Sequence, residues 1–158
     1  MALNAPVTAV MRLTPYGKRA VAHSMFAKGC GFVGAALLLR KRGDYEYVVL
    51  HLICQGIEIL LKALLLAADY DKYQPRLRTL GHKLVRTASD AAAAYGQHPV
   101  REKLSRELRS LEILYSSHRL RYSSGNDALV DASTIPSALA LRRTLAVLRL
   151  AKREKLFE

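Results

Sequence analysis

Two cysteines, no tryptophan, nine glycines and five prolines among 158 residues narrow the possibilities before any pattern is read. Cys30 and Cys54 are too few for a disulfide scaffold or a zinc cage. So little glycine leaves a many-turned β-sandwich short of turn residues and offers no Gly-rich phosphate loop. Acidic residues are also scarce: 13 against 25 basic ones, a formal charge of +12. The chain does not open on a basic stretch followed by an apolar core, so no secretory signal is expected and a reducing cytoplasm is the default. No His, Cys, Asp and Glu residues share metal-ligand spacing, so neither metal nor cofactor is expected. The length fits one domain, and 51% apolar residues is a globular balance.

What is present is helical periodicity. Residues 1–13 read as an N-terminal extension and 14–158 as a single all-α domain, an antiparallel bundle of about five helices. Thr14-Pro15 should start the first helix, with Ala22, Phe26, Cys30, Val33 and Leu37 facing inward. Gly29, Gly31 and Gly34 weaken that helix, and close approach of a neighbour should compensate. It should end at Arg40-Lys41-Arg42-Gly43, with Asp44 capping a second helix that runs to Ala68. Residues 69–78 read as a loop around Pro75. A third helix is expected from Leu80-Gly81-His82 to Tyr95, and a fourth from Pro99 with Leu104, Leu108, Leu111, Tyr115 and His118 inward. Arg101, Glu102, Arg106, Glu107, Arg109 and Glu112 should line the fourth helix's solvated face. The last helix, capped by Ser133 or Thr134, should bury Leu139, Leu141, Leu145 and Leu148. Residues 29–39 are too short to span a membrane. Residues 47–68 are long enough, but His51, Gln55, Glu58 and Lys62 argue for a buried helix instead.

Those four residues recur at steps of four, three and four, which puts them on one narrow face of an otherwise apolar helix. Glu58 precedes Lys62 by four residues, the favourable orientation for a helical ion pair. Two uses are open: a bridge fixing helix register, or an acid–base pair facing a ligand. Positive charge is also clustered. Lys72, Arg76, Arg78, Lys83 and Arg86 follow one another with no acid between them, and Arg119 and Arg121 close the fourth helix. A surface of that kind draws polyanions with an affinity that falls steeply with salt.

Residues 55–65, Gln-Gly-Ile-Glu-Ile-Leu-Leu-Lys-Ala-Leu-Leu, resemble the Gln-x-x-Glu-x-x-x-Lys-Ala-Leu helix of HEPN domains (higher eukaryotes and prokaryotes nucleotide-binding). Gly81-His82-Lys83-Leu84 is similar to the Gly/Thr-His-x-Leu that opens that family's third helix. Residues 115–122, ending in Arg121-Tyr122, are similar to its Tyr-x(n)-Arg-Tyr close of the fourth. The three motifs stand in order over about half the chain. The resemblance implies a HEPN-like bundle, commonly a homodimer, that often partners a nucleotidyltransferase. Some members of that family are metal-independent ribonucleases of toxin–antitoxin or defence systems. Catalytic members use Arg, a short spacer and then His. Arg76 and His82 fit that spacing, but early in the bundle; near the fourth helix His118 precedes Arg119, and no His follows Arg121.

The leading expectation is therefore a non-catalytic, dimeric, cytoplasmic module binding RNA or nucleotides. Glu58, Lys62, Lys72, Arg76, Arg78, Lys83, Arg86, Arg119, Arg121 and Tyr122 would be its binding residues. The alternatives are a metal-independent ribonuclease using His82 or His118 with Arg76, Arg119 or Arg121, and an interaction subunit of a nucleotidyltransferase. No membrane role is expected.

Overall fold

The structure, a computed structural model, describes residues 13–43, 45–116, 120 and 134–157. Among them every regular element is helical. The order is α1 (Pro15–Arg42), α2 (Glu46–Ala68), α3 (Tyr70–Tyr73), a 3-10 turn (Gln74–Arg76), α4 (Leu77–Leu80), α5 (Leu84–Ala94), α6 (Glu102–Ser116) and α7 (Ser137–Arg153). Asp44, Ser133 and the extension up to residue 12 lie outside the described residues.

Helix α1 begins and ends where its local chemistry places it. The Thr14 hydroxyl accepts the Gly17 N–H at 3.1 Å, and Pro15 takes the first turn. Gly43 closes the helix at φ 77°, donating to the Arg40 carbonyl at 3.1 Å. The chain then reverses into α2, which lies at the centre and packs on α1, α5, α6 and α7. Ile53, Ile57, Leu60, Leu64 and Leu65 are fully buried along it.

The α1–α2 contact is closer than ordinary side chains permit. A Cβ at Gly29 would stand 2.8 Å from Leu60 Cγ, and one at Gly56 would stand 2.6 Å from Val33 Cγ2. Val33 meets Gly56 while Gly29 meets Leu60, so the helices run antiparallel. Gly31 and Gly34 differ from the expectation: nothing lies within 4 Å of a Cβ at either. Gly31→Ala is therefore expected to stabilise the fold by about 0.5–1 kcal/mol, from helix propensity alone, in urea denaturation.

Small side chains also decide which face of two helices turns inward. In α1 the buried positions are Ala22, Gly29, Val33 and Ala36, while Leu37, expected inside, is 48% exposed. In α7 they are Ser137, Ala140, Thr144 and Ala151, while Leu145 is 53% exposed and Leu139, Leu141 and Leu148 are half-buried. Close packing on a central helix already dense with Leu and Ile leaves room for Ala, Ser and Thr but not for another leucine row.

Three boundaries differ from the sequence reading. Residues 69–78 are not a loop: Asp69 caps α3 by accepting the Lys72 N–H at 3.0 Å, and Pro75 sits in the first turn of the 3-10 segment, where its missing N–H costs nothing. The third expected helix starts only at Leu84, because Gly81 at φ 50° breaks the chain direction. The fourth starts at Glu102 rather than Pro99. Its polar face is not wholly solvated either. Glu112 accepts the Val85 N–H at 3.0 Å, satisfying an open donor at the start of α5, and Glu107 pairs with Arg143 of α7.

Among the described residues, two helices are long and apolar enough to cross a membrane. Of the apolar window in each, 22% is buried for α1 and 72% for α2.

Candidate functional site

The stripe on α2 is the framework of the site. Glu58 is 5% exposed, and its carboxylate receives three partners from three places in the chain. Lys62, one turn along α2, donates from Nζ to Oε1 at 2.5 Å. Tyr115, from α6 and fully buried, donates its hydroxyl to Oε2 at 2.7 Å. His82, in the turn after Gly81, places Nδ1 2.8 Å from the same oxygen.

Each partner is delivered by a local feature. The four-residue step puts Lys62 beside Glu58 on one helix face. The Gly81 turn, at a φ that disfavours any side chain, swings His82 off the helix axis and toward α2. Tyr115 follows Leu108 and Leu111 on the apolar stripe of α6, so its ring is drawn inward and its hydroxyl needs a buried acceptor. The Tyr115 oxygen also lies 2.7 Å from Gln55 Oε1. Its one proton serves one acceptor at a time, and the ionised carboxylate is the stronger. The His82 ring meets Tyr115 edge-on at 5.0 Å between centroids, and the His51 ring lies 5.7 Å from Tyr115.

Electrostatics keep Glu58 ionised. Burial alone would raise its pKa. The hydrogen bonds from Lys62, His82 and Tyr115, with the Lys62 charge, outweigh that and hold it below its ordinary 4.5. The neighbouring Cys54 thiol is pushed up to about 12, chiefly by burial and then by the Glu58 charge, so it is an inert apolar filler. Cys30 and Cys54 are both free.

With Glu58 ionised, His82 presents Nδ1–H to it, which selects one tautomer and fixes the ring's orientation. The imidazole keeps 37% of its side-chain surface in solvent, whereas Lys62 keeps 12%. Of the two, only His82 offers a substantial solvent-facing surface for a ligand. Lys62 serves as the internal counter-ion.

The basic run 72–86 is brought alongside, through α3, the 3-10 turn, α4 and the start of α5. Arg76 pairs with Asp90 at 3.6 Å and lies over the Tyr73 ring at 5.7 Å. Lys72 stands over the same ring at 5.0 Å. Asp71, the nearest acid in sequence, is occupied by Lys18 of α1 at 2.5 Å. Among the described residues Lys72, Arg78, Lys83 and Arg86 are solvent-exposed and take no acidic partner. His118, Arg119, Arg121 and Tyr122 lie outside the described residues.

The sequence stripe named Gln55, Glu58 and Lys62 correctly as one face. In the sequence Tyr115 reads only as a core residue and part of a motif. The signal that could have assigned it to the site is a phenol on an apolar helix face, which must find an acceptor in the interior. Among the described residues no group of three or more His, Cys, Asp or Glu could hold a metal ion. No family model, no curated protein and no solved structure matches the chain.

Proposed function

We propose that the chain is a HEPN-like, cytoplasmic bundle that binds RNA or nucleotides through its basic edge, without turning them over. The observation that carries this reading is the run from Lys72 to Arg86. Four of its cations are exposed and unneutralised, directly beside a histidine held in place by a buried carboxylate. Such an edge offers phosphate contacts, which give sequence-independent, salt-sensitive affinity. The Glu58 group orders the Gly81–His82 turn from which Lys83 projects. A homodimer belongs to the same reading, supported by the exposed Leu37, Leu38 and Val48 near the α1–α2 junction.

The test is incubation with mixed-sequence labelled RNA in EDTA, at low and physiological salt, on native and denaturing gels. A salt-sensitive shift without cleavage is expected. Lys83→Ala with Arg86→Ala should weaken binding evenly across sequences and flatten the dependence of log K on log salt by about 1 per phosphate contact removed. Unchanged binding by that double variant rules the edge out.

One observation favours a second reading, metal-independent RNA cleavage. A carboxylate on Nδ1 of a partly exposed histidine is the arrangement that orients general bases. Cleavage in EDTA that disappears in His82→Ala would replace the binding module with a ribonuclease.

A further inference from the structure

After α7 the chain turns back on itself. Lys155 takes φ 49°, the only positive value outside glycine among the described residues. Its N–H donates to the Lys152 carbonyl at 3.1 Å, and the Leu156 N–H donates to the Ala151 carbonyl at 3.2 Å. That reversal lays the Phe157 ring on Phe26 of α1, 17° from parallel and 4.1 Å between centroids. His23 is tilted against Phe157 at 6.2 Å. Glycine takes a left-handed position without strain and lysine does not, so a cation stands where the backbone favours glycine.

The two rings line a surface pocket of about 300 Å³ between α1 and α7, whose other walls are Leu148, Ala151 and Lys152. Both rings are half-buried, while Lys152 and Lys155 are exposed. Among the described residues neither lysine takes an acidic partner, and Glu154, between them, pairs with Arg153 at 3.1 Å. Rings alone would suit any apolar ring, and cations alone any anion. Together they select a planar base that carries a phosphate. The pocket is also within reach of the basic edge. Phe26 lies about 12 Å along α1 from Lys18, which bonds Asp71, the residue before Lys72.

We propose that this pocket stacks one base of a single-stranded RNA, with Lys152 and Lys155 on the adjoining phosphate. The inference rests on the RNA-binding reading and names its substrate class. A duplex keeps its bases stacked on one another, so only a single strand can offer one to the Phe26–Phe157 pair. The strain at Lys155 has a use in this arrangement: the same residue turns Phe157 onto α1 and adds charge beside the pocket.

The experiment is an amide-resonance titration of the full chain with adenosine monophosphate and with ribose 5-phosphate, which carries the same phosphate and no base. Adenosine monophosphate should shift the signals of Phe26, Leu148, Lys152 and Phe157 and bind about tenfold more tightly than ribose 5-phosphate, within the worth of one stacked base. Phe157→Leu, which keeps an apolar side chain and removes the ring, should bring it down to the affinity of ribose 5-phosphate. Phe157→Tyr should keep the difference. Lys155→Gly should raise the urea midpoint by relieving the left-handed lysine, yet weaken both ligands by about two- to fivefold. The proposal is overturned if adenosine monophosphate leaves those signals in place, if ribose 5-phosphate binds as tightly, or if Phe157→Leu retains the difference. Shifts confined to residues 72–86 would remove the pocket and leave the basic edge standing. The edge fails by a separate result, unchanged RNA binding in the Lys83→Ala and Arg86→Ala double variant, which the mononucleotide titration does not touch.

Discussion

Glu58→Ala is expected to lower the unfolding free energy by about 3–5 kcal/mol, the largest loss from any single truncation in the site. The carboxylate is the common acceptor for Lys62, His82 and Tyr115, and all three lose that acceptor at once. Lys62 is left as a largely buried charge without its carboxylate, and the Tyr115 hydroxyl loses its charged acceptor. Urea denaturation of the variant gives the value directly. The informative companion is Glu58→Leu with Lys62→Met, which removes both charges while keeping the volume. Buried ion pairs recover little beyond their desolvation, so this double variant should lie within about 1–2 kcal/mol of wild type. A double variant as unstable as Glu58→Ala would show that the pair is retained for stability. Near-native stability with lost RNA binding would show that it is retained for the site.

The same group sets an acid limit. Glu58 is held below its ordinary value when folded, so its stabilising contribution is fully present above about pH 4.5 and is lost as pH falls through the lower folded value. Wild-type stability should therefore fall on acidification below that point. Glu58→Gln should lack that part of the slope. Equal slopes for the two proteins would refute the assignment.

The second large effect belongs to the α1–α2 crossing. Gly56→Ala is expected to cost about 1–3 kcal/mol despite alanine's better helix propensity, because the new methyl meets Val33 Cγ2 at 2.6 Å and the Gly29 carbonyl oxygen at 3.2 Å. Val33 is held on a rigid helix and the carbonyl is backbone, so neither can swing away. A double-mutant cycle checks the cause. Val33→Ala makes a small cavity alone, yet with Gly56→Ala it makes room for the methyl, so the pair should be less damaging than the sum by about 1 kcal/mol. Strict additivity would place the cost somewhere other than this contact. Gly31→Ala, on the open face of the same hairpin, is the control that should gain stability.

Much of the local architecture is legible in the chain. Thr14-Pro15 and Gly43 mark the limits of α1 because capping is decided within a few residues. The long apolar run of α2 reads as a central helix because only a position surrounded by other helices hides apolar residues on every side. The four-three-four spacing puts His51, Gln55, Glu58 and Lys62 on one face from helix geometry alone. Polar residues also carry roles that the local pattern does not state. Asp69 is a cap, Glu112 satisfies an α5 amide and Glu107 joins α6 to α7, each a role set by a partner remote from the local pattern or by an open backbone donor.

Periodicity states which residues share a face; it does not state which face finds a neighbour. Leu37 and Leu145 satisfy the helical period of a buried stripe, yet glycine, alanine, serine and threonine occupy those interfaces, because close contact with α2 favours the smallest side chains. The site follows the same rule. Sequence determined that Glu58 and Lys62 would face one another across a turn of helix. Only the tertiary structure decided that His82, 24 residues away, and Tyr115, 57 residues away, would complete the carboxylate's shell. A buried charge accepts whichever donors packing brings within reach, and that reach is a property of the assembled helices.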